Sequence, residues 1–170
     1  RKGLIEEAQD GVLFLDEISE LALDQQSKLL RFLQERHYRP IGSNVEKPAY
    51  LKVITASNKE LKQLVVEGKF RADLFFRINV FNIHIPPLRE RPEDISSIAM
   101  QKISRFITSY QSQFSVTEIL SETLEILVSY SWPGNVRELE NVLERVVASM
   151  QMADDLTKIK EILRDISPEL

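Results

Sequence analysis

Residues Gly11-Val12-Leu13-Phe14-Leu15-Asp16-Glu17-Ile18 constrain this chain more than any other stretch, because a run of four apolar residues ends abruptly in two carboxylates. Such a run is too short for a helix core. It reads as a strand buried on both faces that delivers acid at its carboxyl end. In open α/β sheets that end is where ligands sit. A hard cation such as Mg²⁺ takes carboxylate oxygen and keeps its waters, so Asp16 is placed to hold one through water, while Glu17 can orient and polarise an attacking water. The competing reading is a core strand followed by acidic residues that favour a nearby helix start. On this stretch alone both stand.

A chain of 170 residues suffices for one domain, or for one domain with a small appendage. With 43% hydrophobic and 28% charged residues it is expected to be ordered. The net charge of −4 and the lack of a basic run give no electrostatic footprint for nucleic acid or an anionic membrane. No apolar stretch is long enough to span a bilayer, and no signal segment opens the chain. Cysteine is absent, which excludes disulfides and thiolate metal sites and fits a reducing, cytoplasmic setting. The first residue is Arg1 and an apolar strand follows almost at once, so the expectation is a piece of a larger protein.

In chain order, Leu4-Ile5-Glu6-Glu7-Ala8 reads as the last turn of a helix, with Gly11 as the helix-to-strand punctuation. A helix is predicted after Ser19-Glu20, with Asp24 as N-cap, an apolar stripe of Leu29, Leu30, Phe32 and Leu33, and Pro40 with Gly42 ending it. Leu51, Val53, Ile54 and Thr55 make a second strand with Ser57-Asn58 at its end. A neutral amide there can hydrogen-bond a nucleophilic water or a terminal phosphate; Asn58 can equally be the N-cap of the next helix. A short helical segment over residues 68–77 carries Arg71 and Arg77, which do not share a helix face at six residues apart. Arginine suits a transferring phosphoryl group because its planar fork stays charged, but ordinary surface arginines near Glu67 and Asp73 would look the same. Val80-Phe81-Asn82-Ile83-His84-Ile85 alternates and predicts a third strand, with His84 finding a local partner. Neither His84 nor His37 belongs to a histidine or acidic cluster, so no histidine metal site is expected.

Pro86-Pro87-Leu88-Arg89-Glu90-Arg91 marks a boundary, and Pro92 then stands at a helix start with Glu93 and Asp94 in the first turn. Beyond it the pattern is helical throughout. One stripe contains Ile95, Ile98, Ala99, Ile103, Phe106 and Ile107. A second, starting after Thr117 or Ser121, contains Leu120, Leu124, Leu127 and Val128. A third carries Val136, Leu139, Val142, Leu143, Val146 and Val147, and a last one Leu156, Ile159, Ile162 and Leu163. The expected organisation is an α/β piece over residues 1–86 and an all-helical piece over 87–170. Within Trp132-Pro133-Gly134-Asn135-Val136-Arg137-Glu138-Leu139, Asn135 as N-cap and Glu138 three residues on have capping-box spacing. Arg137 falls in the first turn, where a cation opposes the helix dipole. A nearby anion such as a nucleotide phosphate would account for it, and so would a salt bridge to Glu138 or Glu140.

These strings, in order, carry a resemblance. Gly11 to Ile18, Gln26-Ser27-Lys28-Leu29-Leu30-Arg31-Phe32-Leu33-Gln34-Glu35, Phe70-Arg71-Ala72-Asp73-Leu74-Phe75-Phe76-Arg77, Pro87-Leu88-Arg89-Glu90-Arg91-Pro92-Glu93-Asp94-Ile95 and Trp132 to Asn141 resemble the central AAA+ ATPase domain of sigma-54-dependent, NtrC-like bacterial transcriptional activators. The resemblance implies an α/β fold: a partial AAA+ P-loop NTPase sheet with flanking helices, followed by an all-helical lid. It implies that Asp16 and Glu17 are the Walker B pair, metal-coordinating and water-activating, and that Ser57 and Asn58 hold the sensor I position, where the family more often has threonine for Ser57. It further implies that Arg71 and Arg77 are fingers offered to a neighbouring subunit's nucleotide, and that Arg137 is the sensor II arginine. The implied activity is ATP hydrolysis with Mg²⁺ in a ring, usually a hexamer, that remodels sigma-54 RNA polymerase, with DNA bound only through a separate domain and no membrane involved. Pro40-Ile41 departs from the smaller residues usual after the Walker B helix.

Some family parts are not in this sequence. Its five glycines stand at 3, 11, 42, 68 and 134, and none opens a G-x-x-x-x-G-K-[ST] phosphate loop. In AAA+ domains the P-loop strand lies between the sensor I strand and the strand corresponding to residues 80–85. The 170 residues alone are therefore expected to be inactive toward ATP, and to close that gap or associate through it. The alternatives are a non-catalytic AAA+-derived assembly module and a DNA-binding domain using the helix after Trp132. The acidic charge argues against the last.

Overall fold

The computed structural model describes residues 2–153 together with Ile159 and Leu163. The chain forms two compact units, Arg1–Ile83 and His84–Leu170. In the first, a one-turn helix α1 (Leu4–Glu7) leads into strand β1 (Val12–Leu15). The turn residue in left-handed conformation is Asp10 (φ 60°), not Gly11. A 3-10 turn at Ile18–Glu20 is followed by helix α2 (Leu23–Glu35). Its N-cap is Ala22, whose N–H donates 3.3 Å to the Gln25 side chain, so Asp24 lies within the first turn rather than at the cap. The helix stops before Pro40, at Arg36, because Arg36 turns left-handed (φ 56°) to enter a hairpin. That hairpin pairs β2 (His37–Tyr38) antiparallel with β3 (Lys47–Pro48), and Pro40-Ile41 sits in its loop.

Strand β4 (Lys52–Thr55) pairs parallel with β1, in register from Val12 beside Lys52 to Leu15 beside Thr55. Helices α3 (Leu61–Val66) and α4 (Ala72–Ile78) complete the unit. The inner sheet face, Leu13 and Val53, packs on a core of Ile18, Leu30, Leu33, Leu64, Phe70 and Leu74. Strand β1 is not buried on both faces as its apolar run predicts. Val12 and Phe14 are 52% and 58% exposed, and Ile54 beside Phe14 is 52% exposed. Among the described residues the sheet has two strands, so helices and hairpin cover one face and leave the other open. The predicted third strand at residues 80–85 is also absent. The segment is irregular, with Phe81, Ile83 and Ile85 exposed, because an alternating pattern becomes a strand only beside a pairing partner. His84 is exposed there and has no hydrogen-bond partner among the described residues.

The second unit begins with a 3-10 turn (Leu88–Glu90) and helix α5 (Glu93–Tyr110), which starts after Pro92 with Glu93 and Asp94 in its first turn. Helix α6 (Val116–Ser129) begins earlier than either predicted start. Ser115 caps it, accepting from Glu118 N at 3.3 Å while the Glu118 carboxylate accepts from Ser115 N at 2.7 Å. The buried row of α6 is accordingly Ile119, Thr123 and Leu127, and Val128 faces solvent. Helix α7 (Asn135–Ala153) packs Leu139, Leu143, Val146 and Val147 against α5, with Ile159 and Leu163 in the same core. Leu156 and Ile162 of the last predicted stripe lie outside the described residues. No helix among the described residues is long and apolar enough to cross a membrane.

Candidate functional site

Both strands of the sheet end at one edge, and that edge gathers the predicted acid and amide. Ala56 N donates 2.9 Å to Leu15 O and Ile18 N donates 3.0 Å to Ala56 O, so the backbone over 16–17 arches beside the end of β4. Asp16 and Glu17 are both exposed in this arch. Glu17 N donates 2.9 Å to Asp16 Oδ1, which leaves the other Asp16 oxygen open among the described residues. Glu17 itself has φ 50°, ψ 42°, a left-handed geometry that costs a non-glycine residue about 1 kcal/mol. Such strain recurs at functional sites. Ser57 and Asn58 follow directly on the neighbouring strand. The Ser57 hydroxyl is engaged locally, donating 2.7 Å to Lys59 O and accepting from Lys59 N at 3.1 Å. Asn58 is exposed and does not cap a helix: the N-cap of α3 is Glu60.

The two arginines stand at the two ends of α4 and both contact α2. Arg71 is the N-cap of α4 and forms a forked pair with Asp73, Nε to Oδ1 at 3.0 Å and Nη2 to Oδ2 at 2.7 Å. The hydrogen bond to Arg71 holds the Asp73 carboxyl below the usual range, and Asp73 in turn raises Arg71. Arg71 Nη1 also donates 3.1 Å to Ser27 Oγ on α2. Arg77, in the last turn of α4, donates 3.0 Å to Leu33 O. Both arginines are exposed, and α2 fixes the two of them.

In the helical unit, Arg137 is exposed in the first turn of α7. Among the described residues it has no ion pair. The carboxylates considered for it are used elsewhere: Glu138 accepts from Gly134 N at 2.8 Å, and Glu140 pairs with Lys102 at 2.9 Å and Arg105 at 2.8 Å. The cap at this helix start also differs from the predicted box. Asn135 has φ 54° and its Oδ1 accepts from Leu88 N at 2.8 Å, tying the α7 turn to the 3-10 turn, while Glu138 reaches back to Gly134. Gly134 has no room for a side chain, since an added Cβ would lie 2.7 Å from Glu138 Cβ.

Sequence reasoning passed over Gln26. It occupies the i position of an i, i+4, i+7 row with Leu30 and Leu33, and is fully buried. An amide at a core-facing position of an otherwise apolar row is the signal that could have found it.

Among the described residues, no group of three or more His, Cys, Asp or Glu side chains could hold a metal ion. The donors at the strand ends fit a hard cation that keeps its waters and takes one carboxylate, as Mg²⁺ does beside phosphates.

Comparison with known proteins gives a consistent set of matches. Residues 1–84 match the sigma-54 interaction domain and residues 89–168 match the AAA+ ATPase lid domain. The chain is 50% identical over 147 residues to nitrogen fixation protein VnfA of Azotobacter vinelandii, covering 86% of this chain and 28% of that protein. It is 46% identical over 147 residues to regulatory protein AtoC of Escherichia coli, covering 86% and 32%. Among solved structures, NtrX from Brucella abortus in complex with ATP superposes with a TM-score of 0.77 at 29% identity, over 88% of this chain and 35% of that one. The chain thus spans about a third or less of the length of these relatives.

Proposed function

We propose a function from the premise that this chain belongs to the sigma-54 interaction family of AAA+ ATPase domains: within a longer cytoplasmic protein it is the hydrolysis and sensing part of a motor that uses ATP to activate transcription by sigma-54 RNA polymerase. The observation that carries this is the arch at the ends of β1 and β4, which sets Asp16 and Glu17 beside Ser57 and Asn58 at the ligand-binding edge of a parallel sheet. Asp16, with one oxygen open among the described residues, would hold Mg²⁺ through water, and the ion when bound supplies positive charge against the phosphates. Glu17 accepts a hydrogen bond from the attacking water, which orients and polarises it. Asn58 donates its amide to that water or to the terminal phosphate, while Ser57 holds the turn. Arg71 and Arg77, both held by α2, act on the nucleotide of a neighbouring subunit in a ring, a hexamer by family resemblance. Arg137, free of carboxylates among the described residues, answers a phosphate from the lid.

These 170 residues contain no phosphate-binding glycine loop, so by themselves they neither bind nor hydrolyse ATP. Glu17→Gln in the full-length protein tests the reading. Hydrolysis and promoter activation should fall about a hundred-fold or more while ATP binding persists. Promoter activation at the wild-type level would instead favour an assembly module without catalysis.

A further inference from the structure

Gln26 and Thr123 are the polar side chains wholly withdrawn from solvent among the described residues. Thr123 returns its hydroxyl to its own helix, at Ile119 O. Gln26 instead joins two other segments to its own helix. Its Nε2 donates 2.8 Å to Leu21 O and 3.0 Å to Lys69 O, and its Oε1 accepts from Arg71 N at 2.9 Å. Leu21 closes the 3-10 turn that begins directly after Glu17, and Lys69 to Arg71 is the approach to α4. A buried amide is tolerated only when its donors and acceptor are matched, so each of these segments is held at a fixed distance from the others. The next residue, Ser27, receives Arg71 Nη1. The first turns of α2 therefore grip Arg71 at both its backbone and its guanidinium, and tie it to the acidic turn of its own subunit.

We propose that Gln26 is a positioning residue for hydrolysis, whose buried amide sets Arg71 where a neighbouring subunit's nucleotide can meet it. This rests on the reading above that Arg71 acts across a subunit boundary and Glu17 within its own site. A displaced arginine should lower turnover roughly a hundred-fold, as angstrom-scale misplacements do, with little change in KM for ATP.

Mixed oligomers of the full-length protein separate this role from a merely structural one. Gln26→Met removes the amide while keeping the volume. Subunits carrying it retain Glu17 and lack a well-placed Arg71. Mixed with Glu17→Gln subunits, which supply an intact Arg71, they should regain hydrolysis; mixed with Arg71→Ala subunits they should not. The reverse pattern would overturn the proposal, because Gln26 would then serve the acidic turn of its own site. Wild-type turnover of Gln26→Met alone, or recovery with neither partner in a variant that assembles, would overturn it too. The mixture of Glu17→Gln with Arg71→Ala tests the underlying reading separately, since it must recover if arginine and glutamate come from different subunits. Should Gln26→Met fail to assemble, Ser27→Ala removes only the Nη1 acceptor. It should fall in the same complementation class with a smaller loss, and recovery with Arg71→Ala instead would overturn the proposal.

Discussion

The helical unit closes its own core and the α/β unit does not. Trp132, Leu139, Leu143, Ile103 and Ile119 are all at 0% exposure, and even the indole N–H is satisfied, donating 2.7 Å to Leu127 O. In the α/β unit, Val12, Phe14 and Ile54 line an open sheet face, and Phe81 and Ile83 lie exposed in a segment whose pattern is that of a strand. The difference teaches why the same apolar content has two outcomes. A helix satisfies its backbone within itself and needs only a matching stripe, whereas a strand needs a neighbour for its hydrogen bonds and a layer for each face. The candidate site inherits this asymmetry. The proposed residues divide along the same line: Asp16, Glu17 and Asn58 stand on the α/β unit and Arg137 on the helical one.

The largest expected effect comes from truncating the closed core. Leu143→Ala should cost about 2–5 kcal/mol, read by urea unfolding followed through Trp132, the only tryptophan and so a reporter of the helical unit. The same truncation on the open face, Phe14→Ala, should stay within about 0.5 kcal/mol by circular dichroism. Equal losses from the two would break the comparison. Next in size is Gly134→Ala. Its Cβ would meet Glu138 at 2.7 Å, so about 1–3 kcal/mol should be lost in thermal unfolding of the bundle. An unchanged midpoint would mean that Glu138 moves aside without cost.

The smallest effect is that of acid. Glu140, beside Lys102 and Arg105, and Asp73, beside Arg71, are both held below their ordinary values on folding. A depressed carboxylate adds stability above its unfolded pKa and loses it as pH falls through the folded one. Both units should therefore weaken modestly as pH drops below about 4, and high salt should shrink the change, more for the exposed Arg71–Asp73 pair than for the half-buried Lys102–Glu140 pair. A loss that salt leaves intact would point to buried groups instead and would sharpen which unit fails first.

The residues proposed for the site could be picked out in the sequence because they declare their chemistry locally. Two carboxylates at the end of an apolar run, an amide at the end of the next, and a cation in the first turn of α7 can be read without a fold. The helix starts were less legible. Asp24 and Asn58 are good caps by type, yet Ala22 and Glu60 hold those positions, since backbone geometry and not side-chain preference fixed where the turns begin. Asn135 was matched to the wrong donor: its oxygen goes to Leu88 N, forty-seven residues away, which no local spacing rule reports.

By itself the sequence determined the family, the order of strand, acid, amide, arginines and lid, and the helical character of the second half, because these rest on residue type and on 3.6-residue periodicity. Only the tertiary structure decided whether an apolar run is covered, whether the alternation at residues 80–85 becomes a strand, and what Gln26 does. Each of those depends on a partner distant in the chain. The open face of β1, which the four apolar residues before Asp16 gave no sign of, is the clearest case: burial belongs to the neighbours a strand finds, not to the strand.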